Sequence, residues 1–165
     1  MPGSAPPPSG PVQPIVLDAQ TVAWFDSLCG GLTQAIQALD PNGTGLTDPS
    51  LAPPEVVAAV RSAGTLFGDT AADLETLPPP TFQGGAALAA TVAAGLGAAA
   101  TSFPQSAATF ESIDSSDVDA LTAARGTLQV ELLTVLAAPL QSIEDLPQDL
   151  RSTIKVIPAC RSLTT

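Results

Sequence analysis

The chain has 165 residues, 45% hydrophobic but only 4% aromatic, and its five Lys plus Arg against sixteen Asp plus Glu give a formal net charge of -11. Such a length fits one domain with a core large enough to stand without metal, and the apolar content, carried by Ala, Leu and Val, favours helix over strand. The acidic surplus repels nucleic acid, which is excluded as a partner, and the lack of histidine and tyrosine removes the commonest general base and several acid/base options.

Residues 1–16 open with MPGSAPPPSGPVQP, too rich in proline and too poor in apolar side chains to fold, and read as a flexible tether ahead of a helical-bundle domain over 17–165. From Asp18 the pattern changes. Val22, Phe25, Cys29, Leu32, Ile36 and Leu39 recur at intervals of three and four, one apolar helix face, with Asp18 placed to cap it and Asp40-Pro41-Asn42-Gly43 to end it. A second helix starts at Pro53-Pro54-Glu55, carries Val56, Val60, Ala63, Phe67, Leu74 and Leu77, and stops at Pro78-Pro79-Pro80; Gly64 and Gly68 weaken it locally.

The third segment runs from Gly85 through Leu88, Val92, Leu96, Ala99 and Phe103. Its period continues past Pro104 to Ile113, either as one kinked helix or, the favoured reading, as two. Ser116 with Asp119 resembles a capping box before a fourth helix, with Val118, Leu121, Leu128, Leu132 and Val135 on its face up to Pro139. Leu146, Leu150, Ile154 and Ile157 mark a short last helix ended by Pro158. The expected fold is all-α: an antiparallel bundle of four main helices plus a short C-terminal one, with one disulfide.

Cys29 and Cys160 are the only cysteines, and with no histidine a zinc site is not credible. They are either two buried thiols of a cytosolic protein or one structural bridge of an exported one. The N-terminal residues lack the charged and apolar regions of a signal peptide and look like what remains after export, which favours the bridge. A tether through a lipidated cysteine ahead of the present start belongs to the same expectation.

Other patterns are weaker. Asp40, Asn42, Thr44 and Asp48, with Gly45 at the sixth place, follow the spacing of a calcium loop, but Leu51 stands where a bidentate Glu is required; a polar connector explains the same residues. Asn42-Gly43-Thr44 also fits the glycosylation pattern. Ser152-Thr153-Ile154-Lys155 satisfies SxxK without the companion motifs of that enzyme class, and no cofactor signature is present. The acidic pairs Asp117/Asp119 and Glu144/Asp145 are explained by capping and helix-dipole effects. The uncharged stretch between Thr76 and Phe110 reads as a buried central helix, with a membrane-contacting helix as the alternative. Should its small side chains leave space opposite Trp24, Phe25, Phe67 and Phe103, the bundle would house an apolar ligand; close Ala-mediated packing is the competing expectation.

In its Ala/Pro/Gly/Thr-rich composition, its tether, Trp24-Phe25-Asp26-Ser27-Leu28-Cys29 and the closing Pro158-Ala159-Cys160-Arg161-Ser162-Leu163, the chain resembles the small exported proteins and lipoproteins of actinobacteria. The resemblance implies a cell-envelope location and a disulfide, and transfers no catalytic residue. The functional expectation is a non-enzymatic extracytoplasmic domain that acts as an interaction or accessory protein on another envelope protein. A carrier of a lipid-like ligand and a calcium-dependent adhesion or regulatory module are the alternatives.

Overall fold

A computed structural model describes residues 16–40, 46, 48–161 and 163. They form an all-helical bundle without strands among the described residues. Helix α1 spans Ala19–Leu39 and begins as its sequence predicts: Asp18 is extended and its Oδ1 accepts the Thr21 N–H at 2.9 Å. That bond satisfies one of the amide donors a helix start leaves open. The buried stripe is Thr21, Trp24, Phe25, Leu28, Cys29, Leu32 and Ala35, rotated from the expected one, and Ile36 is left 46% exposed.

Helix α2 spans Pro53–Thr76, with prolines in its first turn and the Glu55 carboxylate accepting the Ala52 N–H at 2.8 Å. Gly64 and Gly68 do not weaken it; they are where α3 comes close. A Cβ on Gly64 would lie 3.0 Å from the Phe103 Cβ, and one on Gly68 3.2 Å from that of Ala100. Helix α3, Gly85–Glu111, follows Gly84, whose φ of 86° lies in the left-handed region that glycine enters without strain.

Pro104 lies inside α3, which corrects the expected break. It is exposed, so water can meet the carbonyl one turn earlier that a proline cannot serve. The buried line Leu88, Val92, Leu96, Ala99, Phe103, Ala107 and Phe110 runs through it without a change of phase. Helix α3 is long and apolar enough to cross a membrane by composition. In this structure it is the middle helix, packed between α2 and the next.

Helix α4 spans Val118–Glu144. Its cap is Asp117, which accepts the Ala120 N–H at 3.0 Å, in place of the expected Ser116. Nor does α4 stop at Pro139: the proline is buried in the helix interior, and Glu144 is the last helical residue. The expected single last helix is two short ones, α5 (Gln148–Ile154) and α6 (Pro158–Arg161), so Pro158 starts a turn of helix where it was expected to end one.

Contacts between the long helices pair rising with falling residue numbers. Gln20 meets Pro79 while Gly31 meets Thr70; Gly64 meets Pro104 while Gly68 meets Ala100; Gly95 meets Pro139 while Ser106 meets Glu131. The four are therefore antiparallel in sequence order. Helix α6 returns to α1, where Cys29 and Cys160 form a disulfide with a Cα–Cα distance of 4.9 Å across a separation of 131 residues. Helices α1 and α4 make no extensive contact.

Candidate functional site: an apolar cavity beside the disulfide

Where a closed four-helix bundle would join its first and last members, this one holds a cavity of about 510 Å³. Pro139 sets the position of α4. A Cβ on Gly95 would fall 2.3 Å from the Pro139 Cγ, so the missing side chain lets the ring seat directly on α3. At this point α4 is held against α3, and residues of α5 and α6, tied to α1 by the disulfide, line the cavity as well. Space remains between them.

Its walls are Phe25, Leu28, Leu32 and Ile36 of α1, Val92 and Leu96 of α3, and Leu136, Pro139, Leu140 and Ile143 of α4. Phe67, Ile154, Leu163 and the two cysteines complete the apolar lining. Ile36 and Leu140, 46% and 48% exposed, mark an opening to solvent. The charged lining residues are Glu144, Arg151 and Lys155. The volume falls within the roughly 300–1,000 Å³ of small-molecule sites, and an apolar wall with a few polar groups is their usual construction.

Of the four aromatic residues named from sequence, Phe25 and Phe67 line this cavity; Trp24 and Phe103 are buried elsewhere in the core. Trp24 stacks edge-on to Phe25 at 5.0 Å between ring centres, and Phe103 stands likewise to Phe67 at 5.3 Å. These pairs hold the two cavity phenyl rings in place. Ser152 and Lys155 share no hydrogen bond, and the serine is exposed. Asp117 and Asp119 lie at the start of α4, as expected, but Glu144 and Asp145 lie at its C-terminal end, where the helix dipole disfavours them.

For the calcium pattern, Asn42 and Thr44 lie outside the described residues. Asp40 is the C-cap of α1, and the Asp48 carboxylate accepts the Ser50 N–H at 2.8 Å. Leu51, at the twelfth position, is a buried core residue. No group of three or more His, Cys, Asp or Glu suited to a metal occurs among the described residues.

A residue missed from sequence organises the same connection. Arg125 of α4 is 7% exposed, and its guanidinium donates to the backbone carbonyls of Leu46 (3.3 Å), Asp48 (3.0 Å) and Leu51. Its Cζ lies 5.8 Å from the centre of the Phe110 ring. The planar fork of an arginine is suited to several diverging acceptors at once. The sequence signal was a basic residue on an otherwise apolar helix stripe, three before Leu128 and four after Leu121.

Comparison with protein-family models, with curated proteins and with solved structures gives no match. The class that fold and site define is an antiparallel helical bundle with an internal apolar cavity, clasped by one buried disulfide. A buried disulfide is characteristic of proteins that mature in oxidising compartments.

Proposed function

We propose that this protein is a non-enzymatic extracytoplasmic domain that binds one lipid-like molecule in the space between α1 and α4. The observation that carries the reading is the cavity itself: an apolar space of about 510 Å³, open to solvent beside Ile36 and Leu140, holds its Leu, Ile, Val and Phe walls out of the contacts that close packing would give. Occupation restores them. Each methylene moved from water into the cavity contributes about 0.8 kcal/mol. The disulfide and the acidic surface suit a secreted or envelope-anchored protein, where an apolar compound needs a soluble escort.

A second reading, docking to another envelope protein, is favoured by Val130 and Leu133 of α4, which are 63% and 62% exposed and one helical turn apart.

Mass spectrometry of organic extracts from protein purified from its source tests the carrier reading, together with titration of N-phenyl-1-naphthylamine, a neutral apolar fluorophore. Saturable one-to-one binding that Leu136→Trp abolishes is the expected result. Empty extracts with no saturable uptake of the fluorophore would overturn it.

A further inference from the structure

Building on the carrier reading, we infer that the ligand is a single-chain amphiphile with an anionic head, of the long-chain carboxylate class, whose head is held by Arg151 and Lys155 in the wall of the cavity.

The chain carries five basic residues against sixteen acidic ones. Arg61 pairs with Glu111 at 2.7 Å. Arg125 is committed to the carbonyls of the α1–α2 connection, and Arg161 donates to the Val156 carbonyl at 3.4 Å. The other two, Arg151 and Lys155, stand four apart, hence on one face at the end of α5, and both line the cavity. Neither side chain has a hydrogen bond or ion pair among the described residues. The Arg151 Nε is moreover buried and has no acceptor, a costly state for a donor on a charged group.

Stabilisation of a helix C-terminus explains why cations sit at this end of α5. It does not explain why a guanidinium nitrogen is withdrawn from water beside an apolar void without a partner. In a protein with eleven surplus negative charges, a carboxylate partner was readily available. The one acidic residue in the lining, Glu144, is exposed and pairs with neither cation. Among the lining residues the balance is one net positive charge beside an apolar space.

A guanidinium offers a carboxylate two parallel N–H donors, and an ammonium four residues on adds a third. The walls of Leu, Ile, Val and Phe then take the alkyl chain, so one lining offers both cations for a head and apolar surface for a tail, the pattern of an amphiphile. A neutral hydrocarbon would leave both cations unserved. A cationic amphiphile would meet repulsion.

The test compares myristate, methyl myristate and tetradecyltrimethylammonium as competitors of N-phenyl-1-naphthylamine on the full chain at neutral pH. Myristate is expected to bind at least tenfold more tightly than its ester. Arg151→Gln should weaken myristate about tenfold, the range of one charge-assisted hydrogen bond, and leave the ester within twofold. Lys155→Gln, at an exposed position, should weaken myristate several-fold. Glu144→Gln should strengthen it. Equal affinity for acid and ester, a loss shared by both ligands in the lysine variant, or tighter binding of the ammonium compound would overturn the anionic head while leaving the carrier standing. Failure of all three to displace a bound fluorophore would overturn the amphiphile as well, and failure of the fluorophore itself to bind removes the carrier reading on which the inference rests.

Discussion

Gly95 and Pro139 meet where α3 and α4 cross, and no other residue than glycine leaves room for the ring: a Cβ would stand 2.3 Å from Cγ and 2.9 Å from Cδ. A proline ring cannot rotate away as a leucine or lysine would. Gly95→Ala should therefore destabilise by about 1–3 kcal/mol through overpacking, outweighing the roughly 1 kcal/mol that alanine gains in a helix. At Gly97, two residues on, a Cβ would meet nothing within 4 Å. Gly97→Ala should stabilise by about 0.5–1 kcal/mol. Urea unfolding of the two variants gives opposite signs if the crossing is as described.

The Cys29–Cys160 bridge closes almost the whole domain into one loop, with a separation of 131 residues. Under the loop-entropy account a closure of that size stabilises by about 4–5 kcal/mol. The double variant Cys29→Ala/Cys160→Ala should lose most of this in chemical denaturation. Both cysteines are nearly inaccessible on the surface but line the cavity, so a small reductant should reach the bridge through that space, and filling it by Leu136→Trp should slow reduction measured by thiol trapping.

Arg125→Leu leaves the carbonyls of Leu46, Asp48 and Leu51 without the donors that now meet them. A loss of about 2–4 kcal/mol is expected, since each buried acceptor stranded costs about 1–3 kcal/mol and some regain water. Arg125→Lys should restore only part, because an ammonium lacks the planar fork. Hydrogen exchange should place the extra opening in the connection between α1 and α2.

Asp18 ties three places together: its Oδ1 accepts the Thr21 N–H, its Oδ2 accepts the Thr81 hydroxyl at 2.7 Å, and the Thr21 hydroxyl accepts the Thr81 N–H at 3.1 Å. Hydrogen bonds from Thr21, then Thr81, lower its pKa below the ordinary 3.8. A depressed carboxylate contributes stability that is complete above its unfolded pKa and is lost as pH falls through the folded one. Amide protection at Thr21 and Val22 should hold at pH 5 and fade below about 3.8, and Asp18→Asn should flatten that dependence. An unchanged profile in the variant would remove Asp18 as its source.

The Asp18 cap, the prolines opening α2 and the buried lines of α2 and α3 were legible because each depends on residues within one or two turns. Pro104 and Pro139 misled for the opposite reason. A local rule assigns proline to helix ends, but both sit in helices whose faces are already fixed by packing, Pro104 beside Gly64 and Pro139 against Gly95. The same distance dependence hid the site. An apolar stripe cannot say which of its members face a neighbour and which face an open space, so Ile36 and Leu32 read as ordinary core. Arg125 was invisible as a staple because its partners are backbone carbonyls, and any sequence offers those.

The disulfide has a mechanical consequence. A pull applied between Val16 and Arg161 travels along the first half of α1 to Cys29, crosses the sulfur atoms to Cys160 and leaves. Helices α2, α3, α4 and α5 lie off that load path. A protein tethered at one end and tugged at the other would keep the cavity walls from α3, α4 and α5 unstressed, with only a short stretch of α1 bearing tension.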